Sequence, residues 1–345
     1  MRIGILTGGG DAPGLNAAIR STVMRAHQLG HRTLAIRDGW AGLLRDDQPV
    51  ELTPQRVMGI AALGGTIIGT SRTDPRTDDR SRARAREKVR DFRLDALVAI
   101  GGNDTLGVAS WLHAEGVVPV IGVPKTVDND LAETDHCIGF DTAVTVVAEA
   151  LDRLRTTASA HHRVIVVEAM GRDTGWVAAI GGLAGEADVI IVPEIPTSLE
   201  DIARAIRLRR RAGDEDTIVV VAEASTIAGL RTQDAVDKDA FGHPRLDQRA
   251  IAAILAREIE KTTGIEARSV VLGHLQRGGS PTVPDRVWAT RYGHAAAELV
   301  HAGRSGVLPV ARGLKVEVAT LDAAVATTRA LPDHILQVVR DLAGT

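Results

Sequence analysis

The feature of this 345-residue chain that most restricts its fold is a series of short apolar runs separated by helical stretches. The runs lack polar alternation, as is typical of strands covered on both faces. This pattern predicts an α/β fold with mostly parallel sheets flanked by helices. We predict strands at Ile3–Leu6, Thr33–Ile36, Leu97–Ile100, Val118–Val123, Val164–Val167, Val189–Val192, Ile218–Val221 and Ser269–Leu272, and helices at Leu15–Gln28, Ala83–Phe92, Thr105–Ala114, Ala143–Arg155, Leu199–Arg211, Arg249–Lys261 and Arg286–Ala302.

Composition restricts the class of protein. A chain of this length buries a large core and predicts two lobes. The net charge of −3 and the aromatic content of 2% argue against a nucleic-acid partner. No apolar run is long enough to span a bilayer, and the single cysteine, Cys137, fits a reducing compartment. We therefore expect a cytoplasmic protein, with the polar segment Thr226–Gln248 as a surface insertion.

Two polar loops follow neighbouring apolar strands and carry the strongest functional signal. One contains Gly101–Thr105 and the other Pro124–Asp130. Ligands of parallel α/β sheets bind at the carboxyl ends of strands, where both loops are expected. Glycine amides and a lysine suit phosphate, whereas carboxylates suit Mg²⁺ or a hydroxyl proton. Together the loops predict phosphoryl transfer.

Structural alternatives exist for the acidic residues of these loops. Asp104 would bind metal, pair with Lys125, or cap the helix that we predict from Thr105. Asp128 and Asp130 lie two apart, so on an extended segment they point to one side. The alternative is an Asx turn at Asp128. We favour function, because a turn does not require the lysine and threonine that precede these aspartates.

Other polar residues also follow strands. The run Thr7–Asn16 is rich in glycine, which indicates either phosphate binding or only a tight turn. Met170-Gly171-Arg172 would clamp a phosphate, or would be an ordinary strand end. Glu223 would accept sugar hydroxyls or pair with an arginine. Arg268, His274 and Arg277 surround the last strand, as surface charges or as ligands of a sugar phosphate.

The chain resembles 6-phosphofructokinases over nearly its whole length, and within that family most resembles the actinobacterial branch that uses pyrophosphate or ATP. The resemblance implies two Rossmann-like α/β lobes. A phosphoryl-donor domain would comprise 1–139 and 276–325, and a sugar-phosphate domain 140–275 and 326–345. The segments that carry the resemblance are Thr7–Asn16, Gly64-Gly65-Thr66, Thr70-Ser71-Arg72, Gly101–Thr105, Pro124–Asp130, Gly139-Phe140-Asp141-Thr142, Met170-Gly171-Arg172 and Gly273–Gly279.

The resemblance also implies a role for each matching residue. Asp128 would take the proton from the sugar 1-hydroxyl, and Arg172 would stabilise the transferring group. The site would be shared in a homo-oligomer, a dimer or tetramer, because Arg163 and Arg268 would hold the sugar 6-phosphate of a neighbouring subunit. The other implied contacts are Gly10, Arg72, Asn103, Asp104, Thr105 and Lys125 for the donor; Thr126, Met170, Gly171, Glu223, His274 and Arg277 for the sugar phosphate; and Asn103 and Asp130 for Mg²⁺.

Two positions bear on the phosphoryl donor. Family members that use ATP carry glycine where this chain has Asp104, and commonly where it has Lys125. A carboxylate at 104 would occupy the place of the ATP α-phosphate and repel it. Lys125 would add a cation that compensates the charge of a compact pyrophosphate. These residues favour pyrophosphate, with Lys125 counted among the catalytic residues.

Three departures from the family pattern matter. Asn103 replaces an acidic Mg²⁺ ligand, so we expect weaker metal binding. Met24 stands where a basic effector-site residue is expected, although Arg20 and Arg155 are retained. The insertion Thr226–Gln248 is absent from the short bacterial ATP-using enzymes, although the actinobacterial branch has a similar one.

The sequence thus predicts an Mg²⁺-dependent phosphotransferase that uses pyrophosphate and fructose 6-phosphate. The alternatives are the same acceptor with ATP, a kinase of another ketose phosphate such as sedoheptulose 7-phosphate, and a weakly catalytic sugar-phosphate-binding protein, the last motivated by Asn103.

Overall fold

A computed structural model describes residues 1–232, 237–238, 241–243, 246 and 249–343. The chain divides into two compact units. The first comprises Met1–Thr142, Asp239–Gly242 and Arg277–Thr328; the second comprises Ala143–Lys238, His243–Gln276 and Arg329–Thr345. No helix in the described part of the chain is both long and apolar enough to cross a membrane.

The first unit is built on a seven-stranded sheet in the order β13-β12-β5-β4-β1-β2-β3. The central strands are parallel, and antiparallel pairs β2–β3 and β12–β13 close its two edges. The strands are β1 (Arg2–Thr7), β2 (Arg32–Ala35), β3 (Val50–Leu52), β4 (Ala96–Gly101), β5 (Val120–Pro124), β12 (Val307–Arg312) and β13 (Lys315–Thr320), and the helices are α1 (Leu15–Gln28), α2 (Asp79–Asp91), α3 (Asn103–Ala114), α8 (Val283–His301) and α9 (Leu321–Ala326).

Alternate residues of the central strands enter two different cores. In β4, Val98 and Ile100 belong to the core that contains α1 and α8 residues. Leu97 and Ala99 belong to the opposite core, which contains α2 and α3 residues. Since successive side chains of a strand point to opposite faces, a strand covered on both faces must be apolar throughout. For this reason the sequence of β4 is an uninterrupted apolar run.

The second unit has a four-stranded parallel sheet in the order β11-β6-β9-β7, with a separate two-stranded pair β8–β10. Its core joins the sheet to α6 and α7. The strands are β6 (Val164–Ala169), β7 (Val189–Ile191), β8 (Thr197–Ser198), β9 (Thr217–Ala222), β10 (Ile227–Ala228) and β11 (Ala267–Val271), and the helices are α4 (Phe140–His161), α5 (Trp176–Ala184), α6 (Leu199–Ala212), α7 (Ile251–Thr263) and α10 (Asp333–Ala343).

The sequence prediction of a mostly parallel α/β fold is confirmed, and α1 has the predicted bounds. The prediction of α3 from Thr105 was wrong by two residues, because Gly102 is the N-cap and Asp104 lies in the first turn. α4 is also longer than predicted, and the edge hairpin β12–β13 was not predicted. Of the predicted insertion Thr226–Gln248, residues 233–236, 239–240, 244–245 and 247–248 lie outside the described residues.

Candidate active site

Three loops of the first unit leave the same edge of its sheet. Strands β5, β4 and β1 are adjacent and parallel, so their carboxyl ends lie side by side. Two backbone hydrogen bonds continue the pairing beyond the strands: Gly8 N donates to Ile100 O at 3.0 Å, and Lys125 N donates to Gly101 O at 3.0 Å. The loops that begin at Gly8, Gly102 and Lys125 are therefore neighbours.

Thr105 explains why two of the loop positions are glycines. The threonine is 2% exposed, and a Cβ at Gly8 would lie 2.5 Å from its Oγ1. A Cβ at Gly101 would lie 2.3 Å from the Thr105 Cβ. Only glycine permits so close an approach. The Thr105 side chain therefore packs beneath the loops, and its predicted contact with a phosphoryl donor stays a prediction.

The buried amine of Lys125 lies against the loop Gly8–Gly10, which we call the glycine loop. Its Nζ donates to Gly8 O at 3.0 Å and to Gly10 O at 2.6 Å, and the residue is 3% exposed. Burial, together with the positive charge of Arg277, lowers the pKa of Lys125 to about 7, against opposing effects of the Asp11 and Asp128 carboxylates. An anion bound here would favour the charged amine.

The two aspartates after β5 lie on a turn. Asp128 N donates to Thr126 Oγ1 at 3.1 Å, and the Thr126 hydroxyl lies 3.4 Å from Asp128 Oδ2. Asn129 has a φ of 50°, in the left-handed region. The expectation that Asp128 and Asp130 share one side of an extended segment was therefore wrong, because the chain turns between them. Both are nevertheless buried, 9% and 6% exposed.

Asn103 connects the loop after β4 to the loop after β5. Its Nδ2 donates to Asp130 Oδ2 at 3.3 Å, which leaves the amide oxygen for another partner. Within the described ranges, Asn103 Oδ1 and Asp128 Oδ1 are buried and have no hydrogen-bond partner. Unsatisfied buried oxygens of this kind fit a hard cation such as Mg²⁺ or an incoming hydroxyl.

The carboxylates at this edge are sparse for a metal site. No group of three or more His, Cys, Asp or Glu side chains suited to a metal occurs among the residues that the structure describes. An amide oxygen and a few carboxylates match Mg²⁺, which keeps several waters and takes further oxygens from a substrate phosphate. The donor set therefore fits Mg²⁺ bound together with a phosphoryl donor.

Two arginines lie close to the glycine loop. Arg72 follows Thr70 and Ser71, which bond to Gly9: the Thr70 hydroxyl donates to Gly9 O at 2.7 Å, and Gly9 N donates to Ser71 O at 3.0 Å. Arg277 NH1 donates to Asp11 O at 3.1 Å. A Cβ at residue 10 would lie 2.7 Å from Arg277 NH1, so the guanidinium packs closely against Gly10. The predicted contact of Arg277 with a sugar 6-phosphate stays a prediction.

In the second unit, a further group of predicted residues meets at the carboxyl ends of β6 and β9. Gly171 N donates to Glu223 Oε1 at 3.3 Å, and Glu223 N donates to Ala169 O at 3.0 Å. Gly171 has a φ of 148°, and a Cβ there would lie 2.5 Å from Thr174 O, so glycine is required. Arg172 follows directly on this turn and is partly exposed.

Arg163 and Arg268 lie at the opposite end of the same sheet. Arg163 directly precedes β6, whereas Met170 directly follows it, about 23 Å away at the usual rise per residue. Both arginines pair with Glu266 Oε1, Arg163 NH1 at 3.4 Å and Arg268 NH2 at 2.7 Å. The fold therefore separates these two arginines from the Gly171–Glu223 group of the same chain.

Gln276, to which the sequence alone assigned no role, connects two segments of the second unit by hydrogen bonds. Gln276 is 0% exposed. Its Oε1 accepts from Met170 N at 3.2 Å, and its Nε2 donates to Gly273 O at 3.1 Å. The turn Gly273–Arg277 also carries His274, which is exposed. The available signal was its place in the Gly273–Gly279 segment that carries the family resemblance. Its partner Met170 is 106 residues away in the sequence.

Comparisons with known proteins show the family of this chain. The family model described as Phosphofructokinase matches residues 2–300. Pyrophosphate--fructose 6-phosphate 1-phosphotransferase of Dictyoglomus thermophilum is 50% identical over 315 residues, 91% of this chain and 90% of that protein. ATP-dependent 6-phosphofructokinase 3 of Streptomyces coelicolor is 48% identical over 335 residues, 96% of this chain and 97% of that protein. The names of these relatives specify different donors.

A solved structure leads to the same family. Phosphofructokinase from Pichia pastoris, in the T-state, superposes with a TM-score of 0.80 and 31% identity over 94% of this chain. This chain spans 35% of the length of that yeast chain.

Proposed function

This chain belongs to the phosphofructokinase family, and from that premise we propose that it transfers a phosphoryl group from pyrophosphate to the 1-hydroxyl of fructose 6-phosphate. The products are fructose 1,6-bisphosphate and phosphate. The acceptor is the substrate named for the Dictyoglomus thermophilum relative. The enzyme works in the cytoplasm, without a nucleic-acid or membrane partner.

The observation that carries this proposal is the buried Lys125 amine beneath the glycine loop. It lies within hydrogen-bond distance of two loop carbonyls, next to the loop that carries Asp104 in the first turn of α3. A fixed cation here compensates the high charge of a compact pyrophosphate. The Asp104 carboxylate disfavours a nucleotide, whose α-phosphate would add negative charge at the same place.

Asp128 acts as the base in this proposal. The oxygen of the sugar 1-hydroxyl attacks the phosphorus of pyrophosphate while its proton passes to the Asp128 carboxylate, and the bond to the bridging oxygen breaks to release phosphate. Asp128 Oδ1 is buried and has no hydrogen-bond partner in the described part of the chain, so it is available for this proton. The Thr126 hydroxyl lies 3.4 Å from the other carboxylate oxygen and helps to orient it.

Several cations share the charge of the transferring group. Arg72 and Arg172 stabilise it together with the Gly10 amide, in the manner of fixed donors aimed at developing charge. Asn103 and Asp130 would hold Mg²⁺, which when bound neutralises charge on the donor oxygens. The hydrogen bond of 3.3 Å between these two side chains keeps them next to each other.

Glu223, Met170 and Gly171 contact the sugar, and His274 and Arg277 hold its 6-phosphate. Arg163 and Arg268 complete that phosphate site in a neighbouring subunit of a homo-oligomer, a dimer or tetramer. Their position at the amino end of β6 and β11, paired with Glu266, supports this division, because it removes them from the Gly171–Glu223 group of their own chain.

ATP is the second candidate donor. The observation that favours it is the 48% identity to an enzyme named as ATP-dependent, nearly equal to the 50% identity to a pyrophosphate enzyme. The two candidates share the acceptor, the base and the sugar-phosphate contacts, and differ only at the donor loops.

Product formation tests the proposed function. Fructose 1,6-bisphosphate is measured after incubation of the protein with fructose 6-phosphate, Mg²⁺ and pyrophosphate. Asp128→Ser should lower turnover by roughly two to four orders of magnitude while fructose 6-phosphate still binds in a calorimeter. Asp79→Ser, at the highly exposed first residue of α2, is the control and should leave turnover unchanged. Near-normal turnover of the Asp128 variant would refute the assignment of the base.

A further inference from the structure

Asn129 stands between the two carboxylates of the loop after β5 and is more deeply buried than either. It is 1% exposed, against 9% for Asp128 and 6% for Asp130. Its φ of 50° reverses the direction of the chain between them. Asparagine enters this left-handed region more readily than most residues do. Asparagine at residue 129 therefore favours the turn that separates the two aspartates.

The Asn129 side chain bonds to the segment that runs back along the loop. Its Oδ1 accepts from Cys137 N at 2.9 Å, and its Nδ2 donates to Asp135 O at 3.3 Å. The amide thus fills one backbone donor and one backbone acceptor with the orientation that each requires. These bonds connect Asn129, at the start of the loop, to Asp135 and Cys137 at its end.

The segment that receives these bonds is itself fixed to regular structure. Asp135 N donates to Ala311 O in β12 at 3.0 Å, and Asp135 Oδ2 accepts from Gly313 N at 2.7 Å. Farther on, Gly139 N donates at 2.8 Å to Asp285 Oδ1 of α8, a carboxylate that is 0% exposed. The Asn129 amide therefore joins the turn that bears the carboxylates to the sheet and to α8.

The position of the Asp128 carboxylate has to be fixed by the surrounding backbone, because a base cannot use both of its oxygens for contacts within the protein. A base must keep an oxygen for the substrate, and Asp128 Oδ1 has no hydrogen-bond partner within the described ranges. Its position therefore depends on the backbone of the turn. Positional errors of about 1 Å at a reacting group cost on the order of 100-fold in rate.

We propose that Asn129 is a positioning residue that holds Asp128 and Asp130 in the geometry required for proton removal and metal binding. The kinetic part of this inference rests on the proposed function. The structural part, that the Asn129 amide stabilises the turn through its hydrogen bonds, does not depend on the proposed function.

Asn129→Gly tests the proposal, because glycine keeps the positive φ and removes both side-chain hydrogen bonds. The matched control is Thr33→Val. Thr33 is also buried, at 2% exposed, and also bonds to backbone, its hydroxyl donating to Leu52 O at 2.7 Å. Asn129→Gly should lower kcat by roughly 10- to 100-fold with KM values changed less than about 3-fold. The control should lower the melting temperature without this loss of kcat.

Hydrogen exchange of the backbone amides in 127–137, followed by mass spectrometry, gives a readout that needs no activity. Exchange in this segment should become faster in Asn129→Gly and stay unchanged in Thr33→Val, at temperatures equally far below each melting point. If the wild-type protein shows no turnover, the proposed function is refuted. Hydrogen exchange in 127–137 then tests only whether the Asn129 side chain stabilises the turn. Unchanged exchange, or an unchanged kcat in an active enzyme, overturns the role of Asn129.

Discussion

Lys125 provides the sharpest prediction, because its charge state should change when a phosphoryl donor binds. The amine is buried against Gly8 O and Gly10 O, and its pKa is lowered to about 7 by burial and by Arg277. A neutral amine has two N–H groups for these two carbonyls, whereas the ammonium has a third that a bound phosphate oxygen would accept. Binding of pyrophosphate should therefore raise the pKa and take up a proton.

The size of the effect follows from a pKa of about 7. The free protein is about half protonated at Lys125 at pH 7 and about one-tenth protonated at pH 8, so binding takes up about 0.5 proton at pH 7 and about 0.9 at pH 8. Titration calorimetry in two buffers of different ionisation enthalpy measures this uptake. Lys125→Met removes the contribution of the amine, and the difference between the two proteins also cancels the titration of pyrophosphate itself.

Lys125→Met should also weaken pyrophosphate binding by about 10- to 150-fold, since a charge-assisted hydrogen bond contributes about 1.5–3 kcal/mol. Lys88→Met is the matched control, because Lys88 is 5% exposed and pairs with Asp46. The control should keep both the affinity and the proton uptake of the wild type. Equal uptake by the wild type and Lys125→Met at pH 8 would refute the reasoning.

The lowered pKa also has a consequence for stability. Because the folded pKa of Lys125 lies below its unfolded value, the unfolded chain binds more protons between about pH 7 and pH 10. The Lys125 contribution therefore makes the free protein more stable as pH rises through this window. The pH dependence of unfolding in urea should show this rise in the wild type and lack it in Lys125→Met. Parallel curves would contradict the burial of a titrating amine.

Three further predictions concern the donor, the metal and the shared site. Asp104→Gly combined with Lys125→Gly should raise the rate with ATP relative to pyrophosphate, and an unchanged ratio would contradict the charge argument. Asn103→Asp should lower the Mg²⁺ concentration at half-maximal rate by roughly tenfold, since a charged ligand replaces a neutral one; Mg²⁺ should also raise its melting temperature more than that of the wild type. Arg163→Ala and Asp128→Ser, each nearly inactive, should recover about a quarter of wild-type activity after random mixing as dimers. Absence of recovery under proven subunit exchange would place Arg163 in the site of its own chain.

Much of the fold was predictable because each buried parallel strand is an uninterrupted apolar run in the sequence. An apolar run such as Leu97–Ile100 has one structural explanation when helical stretches flank it. The edge hairpin β12–β13 was missed, because β13 consists of exposed and partly exposed residues and has no apolar run. α5 was missed because Gly181 and Gly182 resemble a loop. A Cβ at Gly181 would lie 2.6 Å from the Val147 Cβ, so close packing explains glycine in this helix.

The sequence also identified the family, and the match over 2–300 confirms it. It located the loops of the candidate site because each follows a recognisable strand. It offered a turn at Asp128 only as the alternative, and the left-handed φ of Asn129 depends on contacts such as the one to Cys137 N that the sequence does not show. Nor did it reveal that Lys125 is buried against the glycine loop, because that contact joins residues 115 and 117 positions apart. The roles of the individual site residues stay predictions.

The most direct test of this account is the initial rate of fructose 1,6-bisphosphate formation from fructose 6-phosphate and Mg²⁺, with pyrophosphate and ATP compared in parallel at equal concentration. We expect a faster rate with pyrophosphate, because Asp104 and Lys125 favour a compact, highly charged donor. A faster rate with ATP would contradict the role assigned to these two residues. No product with either donor would contradict the proposed reaction itself.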